Sequence, residues 1–223
     1  MLRANSIATK EMLDDFFQPL INKFQVVEEV KKQTDVYLAS RFNFLDIIRP
    51  NENRISDLIC LLCDPKGLHG QGEIFLSLFL NQLGVDEFNN SLNQVILVRE
   101  EGTPEKRRVD IIIRHPEINY VVGIENKPWA LEQTNQLSDY AEYLRNVSDN
   151  FKLIYIDGFK RKATSITEKE INELGNNFME LTYKSFLIPW LTACSNQCQA
   201  DKVRWFLRDF AKWIDNNFFD LEN

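Results

Sequence analysis

Residues 107–127 read Arg-Arg-Val-Asp-Ile-Ile-Ile-Arg-His-Pro-Glu-Ile-Asn-Tyr-Val-Val-Gly-Ile-Glu-Asn-Lys. The prediction of the fold starts from this stretch. It contains two runs of β-branched and aromatic residues, 109–114 and 120–126. The connector between them, residues 116–119, carries the turn formers Pro and Asn. Two such runs around a short turn predict a β-hairpin.

Counting along this hairpin brings two carboxylates together. If His115 pairs with Tyr120, the ladder sets Asp110 opposite Glu125, and Lys127 shares their face because strand side chains alternate. Like charges opposed at about 5 Å destabilise a strand pair, so the site needs compensation. A divalent cation would provide it, since Mg²⁺ typically takes one or two carboxylates. The alternative is a structural cluster in which both acids share Lys127 and nearby arginines.

Neighbouring motifs extend this hairpin into a family resemblance. Val-Asp110 followed by Ile-Glu125-Asn-Lys127 resembles the motif of the PD-(D/E)XK nuclease superfamily, with Val109 in place of its proline. The continuation over residues 127–140, with Gln-x-x-x-Tyr at its end, resembles a branch of small bacterial proteins in that superfamily. The likeness also covers the block from Asn53-Arg-Ile-Ser-Asp to Gly-Glu-Ile-Phe-Leu and the later Ile-Pro-Trp-Leu.

The resemblance implies an α/β fold with a restriction-endonuclease-like central mixed sheet, flanked by helices and extended by N- and C-terminal helical additions. A length of 223 residues suits one domain. We expect a single nuclease-like domain over 1–223, with a helical cover over 1–50, a catalytic core over 51–160 and a C-terminal strand and helices over 161–223. Pro19 and Pro50 are expected to bend or end the helices of the cover.

Periodicity and turn signals predict the remaining elements. They are a strand over 94–99, a helix from near Glu73, a helix over 131–147, a strand over 151–157 parallel to the end of the hairpin, a helix over 166–174 with Thr167 and Glu170 in capping-box spacing, an edge strand over 178–183, and helices over 186–198 and 203–218.

The resemblance also implies an activity, which is metal-dependent hydrolysis of phosphodiester bonds in nucleic acid, with DNA expected rather than RNA. The implied cofactor is Mg²⁺, with Mn²⁺ as a substitute, held by Asp110, Glu125 and the Asn126 carbonyl and assisted by Glu73. Lys127 would orient or activate the attacking water. Alternatively, Glu73 is a first-turn glutamate that interacts with its own helix dipole.

Further side chains are candidates for substrate contacts or for support of the site. Gln136 and Tyr140, four residues apart, resemble an element beside the active site in part of the superfamily, or else form a helix surface pair. Gln133 lies one turn earlier. His69, in a glycine-containing loop, would contact phosphate or order the loop. The basic candidates, Arg108, Lys160, Arg161 and Lys162, would contact phosphate or lie in solvated turns.

Net charge and composition limit the kinds of partner that we expect the chain to bind. A net charge of −7 argues against coating nucleic acid by bulk electrostatics, although a nuclease needs only a local basic surface.

No signal-peptide core or membrane-length apolar run occurs, so we expect a cytoplasmic protein with nucleic acid as partner and no membrane; a homodimer is left open. The alternative function is a non-catalytic nucleic-acid-binding or regulatory module on the same fold, against which the Asp, Glu and Lys set argues.

Four cysteines occur in two pairs with helical spacing, Cys60 with Cys63 and Cys194 with Cys198. A four-thiolate zinc site is one reading of this spacing. The first pair lies in an apolar run, where cysteine behaves as a small hydrophobe. We therefore predict free thiols.

Overall fold

A computed structural model describes residues 2–85 and 92–221, with side chains described for residue 13 and from residue 15 onward. The chain divides into two compact units, 1–43 and 44–223. The first contains helix α1 (Leu2–Leu38), which runs through Pro19. Of the two effects expected of Pro19, a bend or an end, the helix end does not occur. An interior proline costs about 3 kcal/mol, mainly through one lost backbone hydrogen bond, and the other turns of this 37-residue helix keep theirs.

A five-stranded sheet in the order β1-β2-β3-β4-β5 organises the second unit. The strands are β1 (Ile96–Gly102), β2 (Arg108–His115), β3 (Tyr120–Lys127), β4 (Asn150–Asp157) and β5 (Phe178–Thr182). The first three are antiparallel, whereas β4 is parallel to β3 and β5 is parallel to β4. This mixed sheet, with β5 at its edge, confirms the predicted fold class.

Helices cover both faces of this sheet. They are α2 (Phe44–Ile48), α3 (Glu52–Cys63), α4 (Ile74–Gln82), α5 (Gln136–Val147), α6 (Glu168–Leu174), α7 (Ile188–Gln197) and α8 (Asp201–Asn217). One hydrophobic cluster joins Ile111 and Ile124 to α3, α4, α7 and α8, and a second joins Ile112 and Val121 to α5 and α6. Alternation along β2 and β3 thus buries both faces of the hairpin.

Local signals in the sequence account for several element boundaries. Helix α2 ends at Ile48, before Pro50, and the capping box of Thr167 and Glu170 is present. Helix α5 begins at Gln136 instead of residue 131. Asn135, the N-cap residue, has a left-handed backbone with φ of 58°, which no α-helix continues through. The segment before it serves a distant loop, since the Glu132 carboxylate accepts the backbone N–H groups of Thr164 and Ser165, each at 2.9 Å.

The described parts of the chain contain no helix that is both long and apolar enough to span a membrane. All four cysteines are free, as predicted. Burial raises the pKa of the Cys60 thiol to about 11 and that of Cys63 further. These thiols therefore remain protonated near neutral pH and are poor metal ligands.

Candidate active site

The hairpin register places the predicted acids at one end of the sheet. The ladder runs from His115 opposite Tyr120 to Ile111 opposite Ile124, which confirms the predicted count up to that point. It then opens at Asp110, whose carboxylate Oδ2, in place of a backbone carbonyl, accepts the Asn126 N–H at 2.8 Å. The direct opposition of Asp110 and Glu125 is therefore not part of the regular ladder.

Glu125 and Lys127 lie on the face of β3 that α5 covers. A Cβ at Gly123 on the same face would lie 2.8 Å from Leu144 Cδ1 of α5, so any larger residue there would force the Leu144 side chain to shift. Lys127 Nζ lies 2.5 Å from Glu125 Oε1 and 2.9 Å from Glu52 Oε1. One ammonium is thus shared by two carboxylates on different elements.

Glu52 was not among the residues predicted for the site. It is the first residue of α3, and the Asn51 side chain caps that helix by accepting the Arg54 N–H at 3.0 Å. Pro50 followed by a strong capping residue is a readable signal for a helix start at residue 52. The sequence therefore indicated that an acid opens this helix, but not that it reaches Lys127.

Burial controls the ionisation of the cluster. It raises the pKa of Glu125, which the charge of Asp110 raises as well, to about 8 against the pull of Lys127. It also raises the pKa of Asp110, opposed by the hydrogen bond from Asn126. Burial alone would lower the pKa of Lys127, but the charge and hydrogen bond of Glu125, with Asp110 and Glu52, raise it overall. Lys127 is therefore an ammonium in this arrangement.

One oxygen of Glu125 is left without a partner. The side chain is 1% exposed, and its Oε2 has no hydrogen-bond partner among the described residues. A buried carboxylate oxygen left unpaired is costly. A divalent cation beside Asp110 would satisfy it, so the donor set of two carboxylates fits the chemistry of Mg²⁺.

The described residues offer no cluster of side chains that would add further metal ligands to Asp110 and Glu125. Within residues 2–85 and 92–221, no group of three or more His, Cys, Asp or Glu is placed to hold a metal ion. The Asn126 side chain points to the opposite face, where its amide nitrogen donates to Ser56 Oγ at 2.9 Å and its amide oxygen accepts from the Tyr183 hydroxyl at 2.6 Å. The Asn126 side chain is therefore committed elsewhere, and any contribution of this residue to a metal site would have to come from its backbone carbonyl.

The predicted pair on α5 contacts the cluster. Gln136 is 6% exposed, and its Nε2 donates to Glu125 Oε1 at 2.7 Å and lies 3.0 Å from the Tyr140 hydroxyl. That hydroxyl donates to the Arg108 carbonyl oxygen at 2.6 Å. Gln136 thus orients the carboxylate of Glu125, and the reading of these two residues as a surface pair is wrong. Gln133 is one step removed, since its side chain accepts from Arg107 Nη1 at 3.0 Å.

Two predicted site residues serve other places in the fold. Glu73 Oε1 accepts the Asn93 N–H at 2.8 Å, which ties the start of α4 to the turn before β1. His69 Nε2 lies 2.8 Å from the Asp64 carbonyl oxygen, and its Nδ1 accepts the Gln71 N–H at 3.0 Å. The structure therefore corrects the prediction for Glu73, because Glu52 joins the cluster in its place. For His69 it supports the second of the two expected roles, since both ring nitrogens order their own loop.

The predicted basic surface is only partly available. Arg161 is committed to Asp157, with Nη2 2.7 Å from Oδ2, and its Nη1 donates to the Trp129 carbonyl oxygen at 2.9 Å. Arg108 pairs with Glu100 at 3.0 Å at the exposed surface. Lys160 and Lys162 line a cavity of about 300 Å³ with Glu180. Of the four predicted residues, these two lysines remain candidates for phosphate contacts, whereas Arg161 is structural.

Comparisons with known proteins agree with this geometry. Residues 42–212 match the family model described as the PD-(D/E)XK nuclease superfamily. Neither the curated proteins nor the solved structures contain a match to the chain. The matched range includes α3, the hairpin and α5, which together build the cluster around Glu125.

Proposed function

The chain belongs to the PD-(D/E)XK nuclease superfamily, and from this premise we propose that it is a Mg²⁺-dependent nuclease that hydrolyses phosphodiester bonds of DNA. Nucleases of this superfamily generally use divalent metal ions. The observation that carries the proposal is the buried Oε2 of Glu125 beside Asp110, which has no hydrogen-bond partner in the part of the chain that the structure describes. A purely structural ion-pair cluster would satisfy both oxygens of its most buried acid.

Each residue of the cluster has a separate role in this proposal. Asp110 and Glu125 would hold the cation, and the Asn126 carbonyl would be a third oxygen donor. When bound, the cation supplies positive charge that offsets the charge building up on the phosphate. Gln136 holds the Glu125 carboxylate in place through its 2.7 Å hydrogen bond.

Lys127 acts as a donor in the proposed reaction. As an ammonium it can hold the attacking water or a phosphate oxygen by a hydrogen bond, which stabilises charge that develops during the reaction. Attack by water forms the new P–O bond as the P–O bond to the departing strand breaks; the attacking water loses a proton to the solvent, and the departing oxygen takes one up from the solvent, so the protons balance. Glu52, bonded to Lys127 at 2.9 Å, positions the ammonium.

The decisive experiment is incubation of the purified protein with single- and double-stranded DNA and RNA, in Mg²⁺, in Mn²⁺ and in chelator. We expect cleavage of DNA in either metal and none in chelator. Lys127→Ala should lower the turnover far more than the substrate affinity, as for a group that acts in the transition state. Absence of cleavage of all four substrates at millimolar metal would refute the proposal and favour a binding module.

A further inference from the structure

A cavity of about 570 Å³ opens beside the N-terminus of α3. Asn51, which caps α3 just before Glu52, lines it together with Trp129, which lies two residues after Lys127. The lining also includes Asp46, Arg49, Trp213 and Asn217. Asn51 and Trp129 thus place the cavity within one or two residues along the chain of Glu52 and Lys127, which form an ion pair at the proposed site.

On the aromatic side of this cavity, the Trp129 indole is partly exposed to solvent and packs against two neighbouring rings. Trp129 is 43% exposed, whereas Trp213 beside it is 3% exposed. The Trp129 ring centroid lies 5.3 Å from that of Phe218 and 6.3 Å from that of Trp213. Because these rings fix the indole, it has little freedom left to lose when a ligand stacks on it.

The polar side of the cavity offers groups that match nucleotide chemistry. Asp46 and Asn217 provide oxygen acceptors, since Asn217 Nδ2 already donates to the Trp213 carbonyl oxygen at 2.8 Å. Arg49 provides a planar guanidinium suited to a phosphate. Acceptors and an aromatic face together are the means by which proteins bind unstacked bases through their edges and π-faces.

We infer that this cavity takes an unpaired nucleobase of the substrate, stacked on Trp129 next to the phosphodiester held at Lys127. A base inside a duplex has both faces covered by its neighbours and cannot stack on a side chain without leaving the helix. The inference rests on the proposed nuclease function. It narrows the substrate to nucleic acid with a single-stranded or frayed segment at the cleavage position.

The test measures binding of a fluorescently labelled single-stranded oligonucleotide, with every protein carrying Glu125→Gln so that the strand stays intact. Trp129→Leu is compared with Trp205→Leu, because Trp205 is also exposed, at 58%, and lies on α8 under the Arg208 guanidinium. We expect Trp129→Leu to raise the Kd about 10-fold or more, as for the loss of one base–aromatic stack. We expect Trp205→Leu to leave the Kd unchanged, and equal Kd values for the two variants would overturn the inference.

A second measurement remains informative even if the Trp129→Leu variant fails to fold. Oligonucleotides with one abasic position, moved along the strand, are titrated into the protein that retains Trp129. One position should weaken binding about 10-fold, and Trp129→Phe should retain most of that dependence because it keeps a ring. A flat abasic profile would overturn the inference without any change to the indole.

The two proposals fail in different ways. If the unmodified protein cleaves DNA but Trp129→Leu binds the strand like Trp205→Leu, only the base cavity is refuted. If no nucleic acid is cleaved and binding still depends on Trp129, the nuclease function is refuted and the base cavity stands.

Discussion

Two adjacent strands, β3 and β4, each carry a buried carboxylate near their carboxyl ends, and the two carboxylates have opposite surroundings. Lys127 is paired with Asp157 in the register, so the two ends lie side by side. Asp157 Oδ1 accepts the N–H groups of Phe159 and Arg161, each at 2.8 Å, and Oδ2 lies 2.7 Å from Arg161 Nη2. Glu125 is equally buried, at 1% exposure, but keeps one oxygen without a described partner.

This difference shows that burial of an acid does not by itself mark a functional site. Asp157 has backbone donors on Oδ1 and the charged Arg161 guanidinium on Oδ2, which is how a structural carboxylate offsets the cost of losing water. Glu125 shares one ammonium with Glu52 and lies near Asp110, so negative charge is in excess there. An excess of buried negative charge is a place where a cation is favoured.

The largest expected effect is on catalysis at the end of β3. Glu125→Gln and Asp110→Asn should each reduce cleavage by more than about 100-fold, the upper range for loss of a mere supporting group, and should weaken Mg²⁺ binding measured by calorimetry. Asp157→Asn, assayed at a temperature where it is folded, should retain Mg²⁺ binding. A loss of Mg²⁺ affinity in Asp157→Asn as large as that in Glu125→Gln would contradict the assignment of the metal site to Glu125 and Asp110.

The next effect concerns stability and should run in the opposite direction. Asp157→Asn should cost about 3 kcal/mol, because it leaves the Arg161 guanidinium without its buried partner. In chelator and above about pH 8, where Glu125 is ionised, Glu125→Gln should be neutral or stabilising, because it removes one of the crowded negative charges. Urea denaturation of both variants and the parent protein measures this. A large destabilisation by Glu125→Gln would mean that its ion pair with Lys127 is structural.

A smaller effect is expected from the residue that orients Glu125. Gln136→Ala should reduce cleavage by about 10- to 100-fold while leaving metal affinity nearly intact, and Tyr140→Phe should cost less because the ring is retained. Gln133→Ala is the matched control, since that side chain bonds to Arg107 instead of Glu125. Full activity in Gln136→Ala, with an unchanged thermal melt, would return α5 to a scaffold role.

The smallest effect is a dependence of stability on pH in the metal-free protein. The pKa of Glu125 is raised from 4.5 to about 8, so between these values the folded state binds more protons than the unfolded state. Stability should therefore fall as pH rises from about 4.5 to about 8, because ionising the folded carboxyl is disfavoured. The Tm in chelator should be higher at pH 5.5 than at pH 8, and Glu125→Gln should lose part of this slope. An equal slope in both proteins would assign it to other groups.

The hairpin and the placement of Gln136 beside Tyr140 follow from local sequence patterns. Alternation of β-branched residues around one short turn leaves few registers that bury Ile111, Ile113, Val122 and Ile124, so the count from His115 to Ile111 was predictable. The Gln136 and Tyr140 spacing likewise set both residues on one face of α5. These are local regularities, and local geometry suffices to calculate them.

Which distant charged residues contact the cluster around Glu125 and Lys127 depends on how the helices pack against the sheet. Glu52 and Glu73 both lie at helix starts before the sheet, yet only Glu52 bonds to Lys127, because α3 packs beside the hairpin end while Glu73 is held by Asn93. Arg161 was equally readable as a DNA contact, but the parallel pairing of β3 with β4 brings it to Asp157 and the Trp129 carbonyl. Charges far apart in the chain choose partners by the packing of whole elements, which no short stretch of sequence encodes.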